Sequence, residues 1–134
     1  MIEETYVSFE TAKLLKDKGF QQMRDNCGYF TTDMVYSISA DKEGEHHFAN
    51  QYPAGVFNKD KYIAAPTQQM AMRWLREIKH IHIATEPYAG YKTHSCFIWK
   101  NGMGINWQTS FHTFKTYEEA CEEAIKFSLK HLIN

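Results

Sequence analysis

Phe9, Ala12 and Leu15, with Leu14 at the margin, recur at three- and four-residue spacing, which predicts a helix over about 9–18. Ser8 is placed to cap it, because a serine oxygen accepts from the free N–H groups of a first turn. Lys16 and Lys18 oppose the negative end of the dipole, and Gly19 supplies a left-handed stop onto which Phe20 can fold back. A second helix follows Pro66 and the cap Thr67. There Ala71, Trp74, Leu75 and Ile78 fall at i, i+3, i+4 and i+7, so one apolar stripe is expected. The last helix opens on Thr116-Tyr117-Glu118-Glu119, the arrangement of a capping box. Ala120, Cys121, Ala124, Ile125, Ser128, Leu129 and Leu132 then share one side.

Between these helices the period changes. Tyr29–Ile38 is rich in aromatic and β-branched residues and predicts a strand. Ile81–Tyr88, Thr93–Lys100 and Gly104 to about Phe111 predict three more. Asn101-Gly102 joins the last two, and both residues accept the positive φ of a tight hairpin turn. The stretch 39–61 is the least orderly, mixing charged residues with His46, His47, Pro53 and Gly55. A long loop or mobile segment is expected there, with a short strand near 55–62 as an open alternative. The order is α-β-(loop)-α-β-β-β-α. It predicts one α+β domain over 1–134, a small antiparallel sheet with helices packed on one face.

Composition narrows the function classes. The 134 residues are 43% hydrophobic and 15% aromatic, which suits a packed core and disfavours disorder. Fifteen basic residues against sixteen acidic ones leave a formal charge of −1, so binding to nucleic acid by bulk electrostatics is disfavoured. No basic, apolar leader is visible, and no segment approaches the roughly 18 consecutive apolar residues of a membrane helix. Cys27, Cys96 and Cys121 are odd in number and widely spaced, which favours reduced thiols in a cytoplasm.

Seven histidines raise the question of metal or phosphoester chemistry. His80 and His82 have strand spacing, as do His94 and Cys96. On neighbouring strands the four offer zinc its nitrogen and sulfur ligands. The competing reading is that they are ordinary solvent-side strand residues, since no CxxC or HExxH motif accompanies them. Paired H-x-T or H-x-S tripeptides of two-histidine phosphodiesterases are missing, because His82 is followed by Ile83-Ala84 and His112 by Thr113-Phe114. Cys27 lacks a recognisable activating partner, Cys96 is flanked by strand residues, and Cys121 is expected to pack as a small hydrophobe. Asn101-Gly102-Met103-Gly104 precedes no helix and so reads as a turn rather than a phosphate loop. No cofactor is expected.

The layout from Pro66 to Ile133 is similar to that of double-stranded RNA-binding domains. In that family lysines open the final helix and straddle phosphates. Here Glu118, Glu119, Glu122 and Glu123 stand in that place, so the role does not carry over. Arg73, Arg76 and Lys79 leave a basic stripe on the second helix, which is either a solvated face or a nucleotide- or nucleic-acid-binding patch. The run 91–132 is also similar to the sheet-then-helix end of antitoxin-type proteins, through Thr116, Glu118, Glu119 and Ala120. That likeness is mostly helix-capping physics.

Two further segments carry a more particular resemblance. Tyr6–Lys16 with Gly19-Phe20, and Ala65–Gln68 with Trp74–Glu77 and Ile81–Ile83, together with Tyr117–Ala120, resemble small proteins encoded by phages and mobile elements of gut bacteria. The resemblance leaves out the stretch 39–61. It implies a source and the cytoplasm of a bacterial host, and no biochemical activity.

Twenty aromatic residues exceed what one helix-on-sheet core needs. Trp74 belongs to the core stripe. Trp99 and Trp107, on adjacent predicted strands, are either buried beneath the long loop or displayed on the sheet face away from the helices. In the second case they form a platform for a protein partner, a second copy of the chain or a stacked base. A non-enzymatic accessory protein that binds a protein partner, or a second copy of itself through its sheet, is therefore the leading expectation. A small-nucleotide or nucleic-acid binder using Arg73, Arg76 and the aromatics is the alternative, and a metal-dependent hydrolase built on His80, His82, His94 and Cys96 comes third.

Overall fold

The computed structural model describes residues 5–20, 34–38, 43–48, 62–87, 93–105 and 114–133. Its elements run α1 (Phe9–Asp17), β1 (Met34–Ser37), β2 (His46–Phe48), β3 (Tyr62–Ala64), α2 (Gln68–Ile78), β4 (Ile81–Pro87), β5 (His94–Lys100), β6 (Met103–Ile105) and α3 (Tyr117–His131). This is an α+β fold. The strands form two three-stranded antiparallel sheets, and the chain divides into two compact units, 1–70 and 71–134, with the division inside α2. Among the described residues no helix is long and apolar enough to cross a membrane.

In the first unit, local chemistry sets the ends of α1. Ser8 Oγ accepts from Thr11 N at 3.2 Å, as its position predicts. At the other end Gly19 takes φ +99°, and Phe20 N donates to Leu15 O at 2.9 Å while its ring is buried. β1 is the centre of a sheet ordered β2-β1-β3. Met34, Val35 and Tyr36 pair with Phe48, His47 and His46, and Val35, Tyr36 and Ser37 pair with Ala64, Ile63 and Tyr62. His46 and His47 therefore lie in a strand and not in a polar loop. Propensity in that charged stretch is poor, and pairing with the apolar β1 overrides it. The predicted strand positions 29–33, and residues 49–61, lie outside the described residues.

The entry to α2 is also held locally. Thr67 Oγ1 accepts from Met70 N at 3.1 Å. An antiparallel bridge between Tyr6 and Thr67 brings the chain just before α1 alongside the start of α2. Along the helix Ala71, Met72, Trp74 and Leu75 are buried, but Ile78 is 49% exposed. The apolar stripe thus ends one turn earlier than its spacing predicts. The reason is the chain reversal after Lys79, where His80 adopts φ 58°. His80 is consequently a turn residue and not part of the following strand.

The second unit is a β4-β5-β6 meander covered on one side by α3. β4 and β5 pair from Ile81↔Lys100 to Pro87↔His94. Asn101 (φ 52°) and Gly102 (φ 82°) form the expected two-residue turn, so Lys100 opposes Met103 and Trp99 opposes Gly104. Thr116 Oγ1 caps α3 by accepting from Glu119 N at 3.0 Å. Ala120, Cys121, Ala124, Ile125, Ser128 and Leu129 are all buried. Most of these side chains are small, which lets the helix backbone seat close to the sheet.

Candidate functional site

Strand alternation divides the second sheet into two chemically different faces. Ile81, Ile83 and Thr85 of β4 and Cys96, Ile98 and Lys100 of β5 alternate with His82, Ala84 and Glu86 and with Ser95, Phe97 and Trp99. The first set turns toward α3: Ile81, Ile83, Cys96 and Ile98 are buried, and Thr85 reaches a side chain of the helix. The second set faces away. His82 is exposed there, Phe97 is 45% exposed, and Trp99 is half-buried.

This outer face carries a contiguous aromatic strip. Phe97 and Trp99 have ring centres 6.3 Å apart, and His82, directly opposite Trp99 in the register, sits 5.6 Å from it. Trp99 also leans over Gly104, whose Cβ position lies 3.8 Å from the indole. Absence of a side chain at Gly104 leaves the tryptophan's flank open. Of the expected tryptophan pair, Trp99 is thus displayed on the face away from α3, while Trp107 lies outside the described residues. Phe97 shares that outer face. Its i, i+2 spacing from Trp99 is the signal that places it on the same face.

The inner face carries a thiol pair. Thr85 Oγ1 stands 2.8 Å from Cys96 Sγ and 3.3 Å from Cys121 Sγ, so one hydroxyl touches a sulfur of β5 and a sulfur of α3. The two thiols also hydrogen-bond to each other, and both are buried and reduced. That bond separates their acidities. The Cys96 S–H stabilises a Cys121 thiolate, and burial opposes it. Hydroxyls of Thr85 and Tyr117 add to the stabilisation, the negative charge of Glu118 subtracts, and the Cys121 pKa is lowered to about 7. Cys96 is pushed up, first because it donates to Cys121 and then because it is buried. Tyr117 also meets His94 edge-on at 6.3 Å. His94 Nδ1 is buried without a hydrogen-bond partner among the described residues.

The same alternation separates the residues considered for zinc. Cys96 and His94 share the inner side of β5, His82 is on the outer face, and His80 stands in the turn before β4. The four do not converge, because adjacent positions of a strand point to opposite faces. No group of three or more potential metal ligands assembles among the described residues.

The basic stripe of α2 is partly engaged. Arg73 Nε is 3.3 Å from Glu77 Oε1, and Lys79 Nζ is 5.5 Å from the Trp74 ring centre. Arg76 is exposed. A carboxylate one turn from Arg73 offsets the positive field that a phosphate would need. No protein-family model, curated protein or solved structure matches the chain.

Proposed function

We propose that this chain is a non-enzymatic accessory protein, of the kind phages and mobile elements encode, that works by binding a protein partner. The binding surface is the outer face of the β4-β5-β6 sheet, and self-association through that face is its simplest form. One observation carries the reading: Phe97, 45% exposed, lies beside Trp99 and His82 on a sheet face turned away from its helix. Large aromatic side chains held on a rigid strand lose little conformational freedom on binding, and tryptophan is enriched among residues that dominate interface energies. Near-balanced charge fits a partner recognised by apolar contact rather than by phosphate attraction.

Light scattering coupled to size-exclusion chromatography tests the self-associating form, with Phe97→Ser and Trp99→Ser as comparison. A dimer that both substitutions return to monomer supports the proposal. A dimer that neither substitution disturbs places the interface elsewhere and overturns it. For a monomeric protein, the test is crosslinking to co-expressed host proteins. Loss of a specific crosslinked partner in both variants supports the reading, and capture unaffected by them refutes it. Fluorescence titration with oligonucleotides at two salt concentrations addresses the alternative. Tight binding that weakens steeply with salt would replace a protein partner by a polyanion.

A further inference from the structure

The thiol pair on the inner face lies outside the proposed binding surface, and its arrangement is specific. Cys96 comes from β5 and Cys121 from the second turn of α3, and Thr85 Oγ1 is within hydrogen-bonding distance of both sulfurs. The small residues Ala120 and Ala124 flank Cys121 along the buried side of the helix. Helix and strand therefore approach closely at this point. A disulfide requires Cα atoms closer than roughly 7 Å, which large side chains at a helix–sheet contact would prevent.

We propose that Cys96 and Cys121 are a redox-active dithiol that hydrogen peroxide closes into a disulfide stapling α3 to β5. In the first step the Cys121 thiolate attacks one peroxide oxygen. The S–O bond forms as the O–O bond breaks, and hydroxide leaves and takes up the proton that Cys121 had released. Cys121 is then a sulfenic acid. In the second step the Cys96 sulfur attacks the Cys121 sulfur, the S–O bond breaks, and the hydroxyl departs as water with the Cys96 proton. Two thiols lose two electrons in all, and one peroxide becomes two waters.

Each neighbour has a part in this sequence. The Thr85 hydroxyl, 3.3 Å from Cys121 Sγ, donates to the attacking thiolate, and the Cys96 thiol does the same. Cys96 is hard to ionise chiefly because it serves the Cys121 thiolate. Conversion of Cys121 to a neutral sulfenic acid removes that constraint and frees Cys96 to attack. The burial of both sulfurs keeps bulky reagents out, whereas peroxide, scarcely larger than water, enters through small local openings.

The test is intact-mass spectrometry and peptide mapping of the folded, wild-type chain after peroxide treatment. Its three cysteines allow three pairings. The expected product is about 2 Da lighter, retains one alkylatable thiol at Cys27, and yields a crosslinked Cys96–Cys121 peptide that dithiothreitol releases. Thr85→Val, nearly isosteric, is expected to slow the reaction several-fold without changing the product. Oxygen adducts of about 16 or 32 Da without a crosslink, or a disulfide that includes Cys27, would overturn the proposal.

Discussion

Lys100 of β5 donates through Nζ to the carbonyl of Leu132, the C-cap of α3, at 2.6 Å. A strand side chain thus caps a helix thirty-two residues further along the sequence, placing its charge at the negative end of the helix dipole. Lys100→Met keeps the aliphatic stem and removes the charge. It should cost about 1–2 kcal/mol, read as a lower urea midpoint with an unchanged slope. Lys100→Arg should recover part of the loss. An unchanged midpoint in the methionine variant would mean that the contact contributes nothing in solution.

His80 occupies left-handed backbone at φ 58°, and its carbonyl accepts from Asn101 N at 2.9 Å. Its side chain is exposed, so replacement changes little beyond backbone preference. His80→Gly should be neutral to stabilising by about 0.5 kcal/mol, since relief of the left-handed penalty exceeds the added freedom of the unfolded chain. His80→Val should destabilise by at least about 1 kcal/mol, because β-branched residues tolerate this region worst. Thermal melts should place the glycine variant at or above the wild type and the valine variant below it.

Gly44 and Gly102 have nearly the same positive φ, +81° and +82°, in different surroundings. A Cβ at Gly44 would meet the Phe9 ring at 3.3 Å, whereas nothing lies within 4 Å of one at Gly102. Both alanine substitutions should cost about 1–2 kcal/mol for the left-handed conformation. Gly44→Ala should cost more, because Phe9 is also engaged with Tyr36 at 5.6 Å and is not free to retreat. Equal losses in denaturant titrations would show that Phe9 yields without penalty.

The low pKa of Cys121, about 7, makes a signed prediction for stability against pH. A thiol whose acidity is raised by folding adds stability that is complete above the unfolded value near 9 and is lost as pH falls through about 7. Stability should therefore rise between those two values. Above about pH 9 Cys96, whose pKa is raised, acts in the opposite sense. Cys121→Ser should abolish the rise, and Glu118→Gln should shift it to lower pH by removing the opposing charge. Thiolate absorbance near 240 nm in a Cys27→Ser background reports the titration directly. A single midpoint near 9 would contradict the hydrogen-bonded pair.

Much of the architecture is legible along the chain because it rests on short-range chemistry. The caps Ser8, Thr67 and Thr116 and the stops at Gly19 and Asn101-Gly102 act within four residues, and each takes the expected role. Trp74 and most of the α3 stripe are buried as periodicity requires. Ile78 shows where periodicity fails: the helix ends beneath it, and spacing alone does not register a chain reversal. His46 and His47 show a second failure, since a polar segment becomes a strand when β1 offers it a ladder.

The amino-acid sequence by itself determined the helices, their N-terminal caps, the stop of α1, the β5–β6 hairpin and an α+β class. Tertiary structure alone decided that the strands form two sheets, that His82 and Cys96 stand on opposite faces, and that Thr85 brings Cys96 to Cys121. The physical reason is range. A cap or a turn is a contract between near neighbours, whereas Thr85, Cys96 and Cys121 meet only after strand register and helix seating have been set by the burial of Ile81, Ile83, Ile98, Ile125 and Leu129.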